Sequence, residues 1–102
     1  MAKTPEDAQR RVFLGLALAY LGKKVEARRE GERGVALVPE SKYFQHQLVR
    51  IHILAGNHEK ALDLLEPLLN TPYELTAGWL RIDPNFDPLR GNPRFEKLAQ
   101  GT

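Results

Sequence analysis

Leu14-Gly15-Leu16-Ala17-Leu18-Ala19-Tyr20-Leu21-Gly22-Lys23-Lys24-Val25-Glu26-Ala27 decides the fold when it is laid against Leu48-Val49-Arg50-Ile51-His52-Ile53-Leu54-Ala55-Gly56-Asn57-His58-Glu59-Lys60-Ala61. The two stretches lie 34 residues apart, so Leu14 meets Leu48, Leu21 meets Ala55, Gly22 meets Gly56 and Ala27 meets Ala61. Each glycine closes one apolar helical pattern and precedes another, which reads as a turn between two helices. A hairpin of this kind cannot bury its apolar face alone, and stacking against the next one completes the core.

Working outward, the residues predict six helices and no strand. Thr4 caps the first, with Pro5 at its first position and Glu6 and Asp7 in its first turn; it runs to about Leu21. The second covers about Lys24 to Leu37 and stops before Pro39. Ser41 caps a third, to about Ala55, and Asn57 a fourth, to about Leu69, with a kink at Pro67. Thr71-Pro72 opens a fifth that Asp83-Pro84 ends near Ile82, and Asn92-Pro93 caps a short sixth reaching Gln100. The chain reads as one all-α domain over residues 1–102: a unit at about 8–41, a second at about 42–75, and a C-terminal helical cap at about 76–102.

The 102 residues are 42% hydrophobic and 27% charged, a balance that supports a packed core. Net charge is only +2 and the Lys and Arg residues alternate with acids, so no nucleic-acid role is expected. Absence of cysteine excludes disulfides and thiolate metal sites. Arg10-Arg11 before an apolar run mimics a twin-arginine export signal, with Ala17-Leu18-Ala19 as a cleavage site. Glu6 and Asp7 occupy positions that should be positive in such a signal, and the segment fits the repeat register, so it reads as an amphipathic helix. No run approaches the ~18 apolar residues of a membrane span, and a cytoplasmic location is expected.

In the first unit, Leu14-Gly15, Gly22, Ala27, Gly34 and Pro39 resemble the small-residue, turn and terminal positions of the tetratricopeptide-repeat (TPR) family, whose period is 34 residues. The second unit keeps Leu48, Gly56, Ala61 and Leu65. Arg11 stands at the usual tryptophan and Gly31 at an aromatic position; Val49, His52 and Tyr73 depart in the second unit. From Leu64 through Trp79-Leu80-Arg81-Ile82-Asp83-Pro84 to Phe95, the chain also resembles the end of TPR regions attached to kinase, cyclase or DNA-binding domains in bacterial signalling proteins. The resemblance implies a right-handed α-solenoid of two TPR-like hairpins plus the cap. It also implies a protein–protein interaction module, regulatory in a bacterial signalling protein, that binds a protein or peptide partner. A structural spacer or self-association domain without an outside ligand is the alternative.

In TPR units the first helix lines the concave face, which makes Tyr43, His46, Gln47 and Arg50 the candidate groove on the third helix, where they share one side. Gln9, Val12, Leu16 and Tyr20 are the matching positions on the first. Arg50 with an aromatic neighbour suits a peptide carboxylate. Chaperone-tail binders carry Lys and Asn where Val12 and Leu16 stand, so that ligand is disfavoured.

Other chemistry is weakly supported. His46, His52 and His58 are each six residues apart and cannot converge on a metal; His52 reads as a packed histidine with one satisfied nitrogen. Asp83-Pro84-Asn85-Phe86-Asp87 opens like a calcium loop, but Pro88 and Arg94 hold its glycine and glutamate positions. No phosphate loop or nucleophile motif occurs, so no enzyme activity and no cofactor are expected. Arg28, Arg29 and Arg33 lie at salt-bridge spacing from Glu26, Glu30 and Glu32 and read as a solvated face. Leu14 and Leu18 are expected to fill space beside Gly15 and Ala27. Trp79, Leu80, Ile82, Phe86, Leu89, Phe95 and Leu98 should cover Leu62, Leu65 and Leu69. The apolar outside of the first helix predicts a homodimer of the isolated chain.

Overall fold

The structure, a computed structural model, describes residues 5–101; the Thr4 cap lies outside them. Helices α1 (Pro5–Tyr20), α2 (Lys24–Leu37), α3 (Lys42–Leu54) and α4 (His58–Leu69) are followed by α5 (Ala77–Ile82), a 3-10 helix (Pro84–Leu89) and α6 (Pro93–Gln100). Helix α1 packs on α2, α3 packs on α4, and α3 also touches both helices of the first pair.

The two hairpin turns share one geometry. Gly22 and Gly56 adopt φ of 81° and 83°, the left-handed conformation in which a side chain is strained. Gly22 N–H donates to Ala19 and Lys23 N–H to Leu18; 34 residues on, Gly56 donates to Ile53 and Asn57 to His52. This paired pattern closes the orphan carbonyls of α1 and α3 identically.

Glycine also sets the distance between α1 and α2. A Cβ on Gly34 would lie 2.5 Å from Val12 Cγ2 and 2.9 Å from the Ala8 carbonyl, and one on Gly15 would lie 2.8 Å from the Ala27 carbonyl. Gly31 is part of the same device: its missing side chain makes room for Ile51 and Leu48 of α3. Leu14, by contrast, is 48% exposed and fills no interhelical space, whereas Leu18 is half-buried. Arg11 joins the hairpin at its edge through Glu30, 3.2 Å away.

Ser41 caps α3 by accepting from Phe44 N–H, but the Asn57 side chain accepts nothing and only occupies the cap position of α4. Helix α4 continues through Pro67 to Leu69 without a break. The fifth helix starts later than Thr71. Thr71 Oγ1 donates back to the Leu68 carbonyl, closing α4, and Thr76 is the residue whose hydroxyl accepts from Trp79 N–H. Asp83 caps the 3-10 helix by accepting from Asn85 N–H, and Asn92 accepts from both Arg94 and Phe95 to start α6.

The largest core is C-terminal. Val49 and Ile53 of α3 and Leu62, Leu65 and Leu68 of α4 meet Leu80, Phe86, Leu89 and Phe95. Phe86 and Phe95 stack with centroids 5.9 Å apart. Ile82, expected in this cover, is 80% exposed, and Trp79 and Leu98 are only half-buried. Arg90 knits the segment by donating to the Leu80 and Asp83 carbonyls and to Asp87, and Arg94 ties α6 to Glu59, Asp63 and Glu66 of α4.

Candidate functional site

Helix α3 has two sides because its apolar residues recur at helical spacing. Phe44, Leu48 and Ile51 are buried against the hairpins, and the stripe Tyr43, His46, Gln47 and Arg50 lies on another side. Arg50 is the centre of that stripe. Its Nη1 donates to Gln47 Oε1 at 2.8 Å and its Nη2 to the Tyr20 hydroxyl at 3.1 Å, which links α3 to the end of α1. No carboxylate pairs with this guanidinium among the described residues, and its Nε is buried without a partner. Five donors on a fixed plane thus have two internal acceptors, both neutral.

His46 and Gln47 are buried, at 6% and 5% exposure, and so stand behind the surface. His46 is covered by Tyr73, between α4 and α5, and by Trp79 of α5. His46 Nδ1 shares a hydrogen bond of 3.1 Å with the Tyr73 hydroxyl, and its ring meets those of Tyr73 and Trp79 edge-on. Trp79 Nε1 donates to Asp83 Oδ2 at 2.8 Å. Burial, then the Arg50 charge, lowers the pKa of His46 and favours its neutral form. Burial, reinforced by the Glu74 charge, pushes the Tyr73 hydroxyl up to about 12.

The structure therefore brings Tyr20, Tyr43 and Arg50 to the accessible surface, supported by His46 and Gln47. Val12 leaves the set: it is fully buried beneath Gly34 and packs with Ala8 and Phe44. Leu16 is half-buried against the core of the first hairpin, and Gln9 is exposed near the start of α1. Tyr73 and Trp79 are the additions. The sequence pattern places them only at the end of the second unit and in the cap, and the aromatic spacing around Pro72 and Thr76 gives no sign that they reach α3.

A second polar group lies elsewhere. His52 is buried with Nε2 4.0 Å from Glu32 Oε2, too far for a hydrogen bond, and its Nδ1 has no partner. It lines a shallow 230 Å³ hollow with Leu48, Lys60, Asp63 and Leu64. Burial lowers its pKa against the opposing pull of Glu32. On α2, Glu30 takes Arg33 as well as Arg11, while Glu32 faces His52, so the basic face is only partly neutralised. Among the described residues no three metal-ligating side chains converge, and no helix is long and apolar enough to cross a membrane.

The chain matches no protein-family model, no curated protein and no solved structure.

Proposed function

We propose that the chain is a protein-interaction module of TPR-like architecture, a right-handed stack of two hairpins closed by a helical cap. Its α3 stripe would receive a peptide carrying a carboxylate. The observation that carries this reading is Arg50, a permanent cation held in place by Gln47 and Tyr20, without an acid of its own and flanked by exposed aromatic surface. The architectural part is supported by the 34-residue repetition of both turn glycines and their hydrogen bonds. A regulatory place in a bacterial signalling protein rests on the sequence resemblance alone, and a cytoplasmic location is the default expectation of the sequence reading.

Burial of His46 and Gln47 favours the second reading, a spacer whose polar residues are satisfied internally. The two separate on an array of immobilised peptides with acidic side chains or free C-terminal carboxylates. The module reading expects a subset to bind, and binding to fall at least tenfold in Arg50→Glu with far-UV helicity unchanged. No binding, or binding indifferent to Arg50→Glu, supports the spacer. Lost helicity in that variant makes Arg50 structural.

A further inference from the structure

Among the described residues, five of the seven exposed large apolar side chains lie on α1, the turn after it and the first turn of α2: Phe13, Leu14, Tyr20, Leu21 and Val25. Ala8, Val12, Gly15 and Ala19 face inward against α2 and α3, and at about 3.6 residues per turn Leu14, Ala17 and Leu21 fall on the outer side. Charge is polarised along this side. Glu6 and Asp7 lie at its start, where Asp7 also pairs with Arg10 at 2.7 Å, and Lys23 and Lys24 lie just past its end. Among the described residues Glu6, Lys23 and Lys24 make no internal ion pair.

We propose that this face binds α1 of a second copy of the chain, antiparallel, about a two-fold axis near Gly15. An isologous interface must be complementary to itself, and this register makes it so. Glu6 and Asp7 of each protomer meet Lys23 and Lys24 of the partner subunit, and each Leu14 seats against the partner's small Ala17. Sliding the register to stack Ala17 on its symmetry mate would set Arg10 against Lys24 of the partner subunit, so charge selects the first arrangement. The residues this register pairs, Glu6, Asp7, Leu14, Ala17, Lys23 and Lys24, lie outside the α3 stripe, to which only Tyr20 of the exposed cluster belongs.

Sedimentation equilibrium on the 102-residue chain tests it. The expected mass is twice 11.6 kDa. Lys23→Glu/Lys24→Glu and Glu6→Lys/Asp7→Lys should each sediment as monomers, because like charges then face each other at both ends. An equimolar mixture of the two should regain the dimer mass, since every facing pair is again opposite. Leu14→Arg, on an exposed position, should give a helical monomer. A native chain that is monomeric at every loading leaves the face to a different protein and overturns the proposal. So does a pair of reversed variants that stay dimeric, or whose mixture stays monomeric.

Discussion

At the scale of residues, Gly15 and Gly34 set how closely α1 lies on α2 and Gly31 how closely α3 approaches, and the three do not weigh equally. A methyl on Gly34 or Gly15 would press on backbone carbonyls, which cannot move aside, whereas one on Gly31 meets only the methyl ends of Ile51 and Leu48. Helix propensity favours alanine by about 1 kcal/mol, so overpacking must outweigh that gain. Gly34→Ala is expected to lose about 1–3 kcal/mol net and Gly31→Ala less, read as shifts in urea midpoints. Equal losses at both sites would contradict the account. Gly15 was legible from its spacing with Gly22 and Ala27. Gly31 was not, because the TPR pattern that the first unit resembles puts an aromatic there, and only the approach of Ile51 shows why none fits.

The buried histidines predict acid sensitivity. His46 and His52 have folded-state pKa values below the ordinary 6.5. The unfolded chain therefore binds more protons as pH falls below 6.5, and stability follows the difference. Their contribution is complete above 6.5 and is lost as pH drops from there through the lowered folded values. Thermal melts across this range should show that decline, and the double variant His46→Gln/His52→Gln should flatten it. An unchanged slope in the double variant would place the sensitivity elsewhere.

At the scale of elements, the cap carries the most concentrated packing. Phe86 and Phe95 are fully buried, so Phe95→Ala is expected to cost about 3–5 kcal/mol in chemical denaturation. Trp79→Ala should cost less because the ring is half-exposed, and Ile82→Ala should stay within about 0.5 kcal/mol. A large loss at Ile82 would refute the placement of α5. Deleting residues from Asp83 onward removes Phe86, Leu89 and Phe95 together and should abolish cooperative melting. The need for a cover, and Asn92 as the start of α6, could be read from the apolar surplus and the capping pattern. The start of α5 could not: Thr71 and Thr76 are both plausible caps, and the choice depends on Thr71 bonding back to Leu68. Ile82 was misplaced because its neighbour Leu80 takes the inward position.

At the scale of the whole molecule, the helices form a flattened body of 44 × 31 × 18 Å with a radius of gyration of 13.4 Å, near the ~13 Å of a compact 100-residue domain. The candidate face crosses its parts: Tyr20 comes from the first hairpin, Arg50 from the second, Tyr73 from the segment leading into the cap and Trp79 from α5. Helical periodicity alone groups Tyr43, His46, Gln47 and Arg50. It says nothing about which of them a later segment will cover, and His46, which periodicity alone puts on the surface, lies against Tyr73 and Trp79. The most direct test of the interaction reading is a backbone amide chemical-shift map of the isotope-labelled chain, titrated with the strongest acidic peptide from the array. The account predicts shifts concentrated at Tyr20, Tyr43, Arg50, Tyr73 and Trp79, and lost in Arg50→Glu. Shifts confined to α2 around Arg28, Arg29 and Arg33, or the same shifts persisting in Arg50→Glu, would contradict it.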